Sequence, residues 1–135
     1  MQLGVVGLGK MGFNMRQRLR DGGHEVIGYD PRPEVSDVAN LSELTSLLST
    51  PRIVWVMVPS GPITHDTITV LTEVLQPGDL VVDGGNSRYT EDGPHAELLG
   101  AHGIGFVDAG VSGGIWGLTE GYGLMVGGSD ADVAR

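Results

Sequence analysis

Six residues near the start of the chain, Gly7-Leu8-Gly9-Lys10-Met11-Gly12, have the types and spacing that hold a phosphate. In a G-x-G-x-x-G loop the first glycine permits a tight turn. The second lets a pyrophosphate approach the backbone, and the third lets helix and strand pack closely. The pattern is informative only after a strand and at the start of a helix. Here the apolar run Leu3–Val6 precedes it and the amphipathic stretch Met11–Arg20 follows. Free N–H groups at the start of that helix would face the phosphates. Asp30 closes the next apolar run, Glu25–Tyr29, where the dinucleotide fingerprint places a carboxylate that accepts from the adenosine ribose diol. That carboxylate repels a 2′-phosphate and so favours NAD. Arg32, two residues on, is the group that would bind the 2′-phosphate of NADP instead.

Two later segments offer neutral donors beside glycines. Asp83-Gly84-Gly85-Asn86-Ser87 follows the fourth apolar run, and Ser112-Gly113-Gly114 follows the fifth. Glycine pairs bring backbone close to a ligand. The donors of Asn86, Ser87 and Ser112 suit an acid or phosphate in an acidic chain. A general base is harder to find. Lys10 is the only lysine and sits in the phosphate loop, where anionic neighbours hold its proton on. Of the four histidines, His24 falls in a turn far from the ligand end and His65 begins a helix near it. His95 and His102 flank the fourth helix and are expected to be exposed. Glu120 falls near the substrate loop, where it is either a catalytic carboxylate or a solvated turn residue, and Trp116 either covers the substrate or packs under its loop.

The elements that must position these residues alternate along the chain. Strands are expected at Leu3–Val6, Glu25–Tyr29, Ile53–Val58, Leu80–Asp83, Gly105–Val111 and Tyr122–Val126. Helices are expected at Met11–Arg20, Ser42–Leu48 with Ser42 as N-cap, Pro62–Leu75 and Thr90–Ala101, with a further start at Ser129-Asp130. This βαβα order predicts an α/β, Rossmann-type, doubly wound and mostly parallel sheet over residues 1–135. Ligands bind such sheets at the carboxyl ends of the strands.

Composition bounds the rest. With 135 residues and 40% hydrophobic side chains, the chain is one globular domain. A net charge of −9 argues against nucleic-acid and anionic-membrane partners. No apolar run is long enough for a membrane helix, and residues 3–8 have no basic leader. With no cysteine there are no disulfides and no thiolate metal sites, and the expected compartment is the cytoplasm.

Five segments in order resemble the 6-phosphogluconate dehydrogenases: Gly-Leu-Gly-Lys-Met-Gly at 7–12, Val-Met-Val-Pro at 56–59, Asp-Gly-Gly-Asn-Ser at 83–87, Ser-Gly-Gly at 112–114 and Leu-Met-Val-Gly-Gly at 124–128. The likeness is strongest to the short bacterial, often NAD-preferring branch. Related β-hydroxyacid dehydrogenases share the first loop and usually lack Asp83–Ser87. The resemblance implies oxidation of 6-phosphogluconate at C3 by hydride transfer to NAD(P), then loss of CO2 to give ribulose 5-phosphate, without a metal. It implies pyrophosphate binding by Gly7, Leu8, Gly9, Lys10, Met11 and Gly12, and adenosine-ribose binding by Asp30, Pro31 and Arg32. Val58, Pro59 and Ser60 would line the nicotinamide side, and Asn86 would touch cofactor and substrate. Ser112, Gly113 and Gly114 would hold the phosphorylated sugar acid.

In this family the general-base lysine and general-acid glutamate lie in a helical domain that follows the Rossmann domain. No catalytic residue is therefore assigned in this chain, and the helical domain is expected to be absent from it. The chain is expected to be an isolated or truncated N-terminal domain, incomplete at its C-terminal end, that binds cofactor without turnover. An apolar patch left exposed would favour self-association into a homo-oligomer. A non-catalytic NAD-binding module is the alternative from another functional class.

Overall fold

Short apolar runs become the inner strands because both their faces are covered. In the computed structural model, which describes residues 1–85, 89–113 and 116–135, all four residues of the strand Leu80–Asp83 are buried. The element order is β1 (Gln2–Val6), α1 (Lys10–Asp21), β2 (Glu25–Tyr29), α2 (Leu41–Ser46), β3 (Ile53–Val56) and α3 (Pro62–Val74). It continues with β4 (Leu80–Asp83), α4 (Tyr89–Gly100), β5 (Gly105–Ser112), α5 (Gly117–Glu120), β6 (Gly123–Gly128) and α6 (Asp130–Val133).

The strands form one sheet in the order β2-β1-β3-β4-β5-β6. Strands β1 to β5 pair in parallel, as expected, and β6 runs antiparallel to β5. The chain moves outward from β1 to β2, then crosses back to β3 on the other side. The strand order thus reverses between β1 and β3, and sheets of this kind bind ligands at the carboxyl ends of the strands at that point.

On one face, Val54, Val56, Ile68, Leu71, Val81 and Leu99 pack into the main core, supplied by the sheet and helices α3 and α4. On the other face, Leu3, Val5, Leu8 and Val26 form one cluster, and Leu80, Val82, Val107 and Ala109 another. Over this second face lies an apolar cleft of about 780 Å³, lined by Leu3, Trp55, Val82, Val107 and Leu124 among others. Helix α1 is fixed to β2 through Asp37, whose carboxylate accepts from Gly28 N (2.7 Å), Arg16 Nη1 (3.1 Å) and Arg20 Nη2 (2.6 Å).

Several boundaries differ from expectation. Helix α2 is capped by Asn40, not Ser42: Asn40 Oδ1 accepts from Glu43 N at 2.8 Å while Glu43 Oε2 accepts from Ala39 N at 2.7 Å. Asn40 and Glu43 have the three-residue spacing of a reciprocal cap, and Ser42 is two positions too late for it. Strand β3 ends at Val56. The short helix α5 was not anticipated. No helix is long and apolar enough to cross a membrane among the described residues.

Candidate cofactor and substrate crevice

The phosphate loop is shaped by what its glycines exclude. Gly7 has φ +94°, and a Cβ there would stand 2.7 Å from the Met57 carbonyl oxygen. Its N–H donates to Tyr29 O at 2.8 Å, which ties the turn to β2. A Cβ on Gly12 would collide with the Gly7 carbonyl oxygen. Gly9 differs from both: a Cβ there would meet nothing within 4 Å. Gly9 is also the N-cap of α1, supplies no capping side chain, and is followed by a first turn without acidic residues. An uncapped helix start beneath open space fits an anion such as a pyrophosphate.

Asp30 follows β2 and is almost buried. Its Oδ2 accepts from Leu8 N at 2.9 Å, and its Oδ1 accepts from Arg32 N and Nε, both at 3.0 Å. Arg32 Nη2 continues to the Leu8 carbonyl at 2.8 Å. Burial raises the Asp30 pKa, but the Arg32 side chain, the Arg32 and Leu8 amides and the Arg32 charge outweigh it and hold the carboxyl below its usual range. The carboxylate is thus charged and oriented at the edge of the phosphate loop.

The neighbouring strand ends close the crevice. After β3, Val58 is half-buried, and Pro59 and Ser60 are exposed. The Thr64 hydroxyl donates to Pro59 O at 2.7 Å and pins this turn to α3. After β4, the glycine pair is demanded by packing. A Cβ on Gly84 would strike Trp55 and Met57, and one on Gly85 would strike the Val58 carbonyl. Asp83 is fully buried, and its Oδ1 accepts from Gly85 N at 2.9 Å. Ser112 ends β5 exposed, and the Gly113 carbonyl accepts from Trp116 N at 3.1 Å. Trp116 is 66% exposed and so does not pack under this loop; the ring of Tyr122 lies there, against Gly113 and Gly117. Asn86, Ser87 and Gly114 lie outside the described residues.

Among the other titratable candidates, Lys10, His65, His102 and Glu120 are exposed, and His24 is half-buried in the turn before β2. His95 corrects its expectation: it lies inside α4, is 3% exposed, and packs against His65 (ring centroids 5.8 Å apart) and Phe106 (6.3 Å). Tertiary packing, invisible in one sequence, decides this burial. Burial lowers its pKa, and the His65 charge adds to that, against the raising effect of Asp83 and Glu91. The sequence reading also missed a carboxylate cluster. Asp83, Asp92 and Asp108 place ligand atoms within 4.8 Å of one another. Burial and then the charges of Asp108, Asp83 and Glu91 push Asp92 up to about 6. The register Asp83↔Asp108 was the available signal, since paired parallel strands put both side chains on one face.

The model of the NAD binding domain of 6-phosphogluconate dehydrogenase matches residues 2–135. The chain belongs to that family. It carries the family's NAD(P)-binding domain. It is 39% identical over 137 residues to the NAD(+)-dependent, decarboxylating 6-phosphogluconate dehydrogenase of Haloferax volcanii, covering 95% of this chain and 45% of that one. Among solved structures, the 6-phosphogluconate dehydrogenase of Plasmodium falciparum, seen apo, with NADP+ and with 6-phosphogluconate, superposes with a TM-score of 0.91 at 26% identity, over 99% of this chain and 32% of that one. The 3-hydroxyisobutyrate dehydrogenase of Mycobacterium tuberculosis superposes with a TM-score of 0.88 at 28% identity, over 99% and 48%. The chain therefore spans less than half the length of each of these relatives.

Proposed function

We propose that the chain is the cofactor half of a cytoplasmic dehydrogenase acting on 6-phosphogluconate, and that it prefers NAD to NADP. The observation that carries this reading is the family match over residues 2–135 together with the uncapped start of α1 under open space at Gly9. When bound, the nicotinamide supplies a hydride acceptor. The amides of α1's first turn and Lys10 hold the pyrophosphate. Leu8 reaches the site through its backbone, its N–H holding Asp30 in place. Asp30 accepts from the adenosine ribose diol and repels a 2′-phosphate, with Pro31 and Arg32 shaping the same edge.

Val58, Pro59 and Ser60 line the nicotinamide side. Asn86 touches both ligands, and Ser112, Gly113 and Gly114 take the phosphorylated sugar acid. Residues 1–135 act as one dinucleotide-binding domain. The only lysine, Lys10, lies at the pyrophosphate, so no residue here removes the substrate's hydroxyl proton. The chain by itself binds cofactor and does not turn over.

Calorimetric titration with NAD and NADP tests the cofactor reading. Wild type binds NAD at least tenfold tighter, and Asp30→Asn narrows that gap by removing the repulsion of the 2′-phosphate. Tighter NADP binding by wild type would sink it. Steady NADH production from NAD and 6-phosphogluconate by the purified chain would refute the turnover claim. The likeness to 3-hydroxyisobutyrate dehydrogenase favours a second reading, a small 3-hydroxy acid as substrate. Competition between the two acids for the NAD-loaded protein separates them.

A further inference from the structure

Helix α1 also reaches the substrate side of the molecule. Roughly two turns after the phosphate loop, Arg18 Nη1 donates to the carbonyl oxygens of Leu118 at 2.8 Å and Thr119 at 3.3 Å. Both carbonyls belong to α5, whose terminal carbonyls lack intrahelical partners. These bonds span 100 and 101 positions of sequence, whereas Arg16 and Arg20 on the same helix turn back to the nearby Asp37. Gly121, which caps α5, has φ +96°, and a Cβ there would stand 3.2 Å from Arg18 Nη2. Only a residue without a Cβ combines that backbone with so close a guanidinium.

The clamp is passed on to the segment after β5 by packing. The Tyr122 ring fills the space left by two glycines: a Cβ on Gly117 would collide with it, and one on Gly113 would lie 2.8 Å from its Cδ1. Two hydrogen bonds close the turns on either side, Trp116 N to Gly113 O at 3.1 Å and Gly121 N to Gly117 O at 3.0 Å. Ser112 and Gly113 are thus joined through α5 and Tyr122 to a guanidinium standing on the helix that begins at the phosphate loop.

We propose that Arg18 is a positioning residue that ties the segment after β5 to α1, so that the substrate and cofactor sites keep a fixed spacing. The link to substrate rests on the reading of Ser112 and Gly113 given above. Hydrogen exchange on the full chain, as wild type, Arg18→Ala and Arg18→Lys, tests it. In Arg18→Ala the amides of Trp116 and Gly121 exchange roughly three- to tenfold faster. The amides of Phe13 and Met57, and the NAD affinity, stay within twofold of wild type. Arg18→Lys falls between, because an ammonium reaches the carbonyls without the planar fork. Unchanged exchange at Trp116 and Gly121, or equal acceleration everywhere, overturns the proposal.

A second measurement follows the tryptophan emission of Trp55 and Trp116 together as 6-phosphogluconate is added to NAD-saturated protein. At least threefold weaker binding in Arg18→Ala supports the link to ligand spacing, and equal affinity overturns it. A wild type with no response, while the exchange pattern holds, refutes the substrate reading and leaves the clamp supported.

Discussion

Replacing Gly9 by alanine separates binding from stability, because the structure gives this glycine no packing role. Its φ of −64° and ψ of −172° are open to any residue, and the added Cβ meets nothing within 4 Å. Two small effects on folding oppose each other. Losing a glycine from the unfolded chain stabilises by about 0.4–1 kcal/mol. Placing alanine at an N-cap costs a comparable amount, about 0.5–1 kcal/mol. The melting temperature should move by no more than about 3 °C.

Binding has no such cancellation. The Cβ projects into the space above the α1 amides, where a pyrophosphate oxygen must come within hydrogen-bond distance. One charge-assisted hydrogen bond lost is about 1.5–3 kcal/mol, or roughly ten- to a hundredfold in NAD affinity. Calorimetric titration and thermal denaturation of the same preparation read both quantities. An NAD affinity within twofold of wild type at unchanged stability would refute the placement of the pyrophosphate over Gly9. Gly12→Ala is the contrasting control: its Cβ collides with the Gly7 carbonyl, so it loses stability, by about 1–3 kcal/mol, as well as binding.

Two further substitutions probe the ends of β4. Asp79 is fully buried just before that strand and accepts from Arg52 N (2.7 Å), Gln76 N (2.9 Å) and Arg52 Nη1 (3.2 Å). Asp79→Ala strands these donors and should cost about 3 kcal/mol in denaturant unfolding, with NAD affinity unchanged because the crevice lies at the opposite end of the strand. At the crevice end, Asp92 holds its proton up to about 6, against an ordinary 3.8. The folded state therefore binds that proton more tightly than the unfolded state, and stability falls as pH rises from about 4 to about 6 and levels off above. Asp92→Asn removes this step and should exceed wild type by roughly 1 kcal/mol at pH 7.5 while matching it near pH 4. A fall of equal size in the variant would refute the assignment to Asp92.

What the sequence disclosed and what it hid follow from the range of the interactions. The phosphate loop, Asp30 and the five parallel strands rest on local signals, namely glycine spacing and apolar runs bounded by turns. They stand within two residues of expectation. The antiparallel direction of β6 is set by its pairing with β5, and no run of residues encodes it. The helix around His95 was expected, but the face of α4 that packs on the sheet is set by tertiary contacts, and these carry His95 onto Phe106. Asp92 and Asp108 lie sixteen positions apart and meet only because α4 packs on β5. Nothing local singles out Arg18, since its partners stand about a hundred residues away.

The charges explain how so acidic a chain holds an anion. Each described arginine is committed: Arg16 and Arg20 to Asp37, Arg32 to Asp30, Arg52 to Asp79, Arg18 to the α5 carbonyls, and Arg135 to the Gly78 carbonyl at 2.8 Å. Among the described arginine and lysine side chains, Lys10 alone makes no hydrogen bond or ion pair, and it stands in the first turn of α1. On the function proposed above, attraction for a pyrophosphate would be concentrated in one helix turn, where backbone amides and a single ammonium act at contact distance. Beyond about a Debye length, roughly 8 Å at physiological salt, the net charge of −9 is screened and little opposes the approach. Selectivity falls to the neighbouring carboxylate. On the function proposed above, Asp30, kept ionised by Arg32 and the Leu8 amide, would penalise a second phosphate at the ribose.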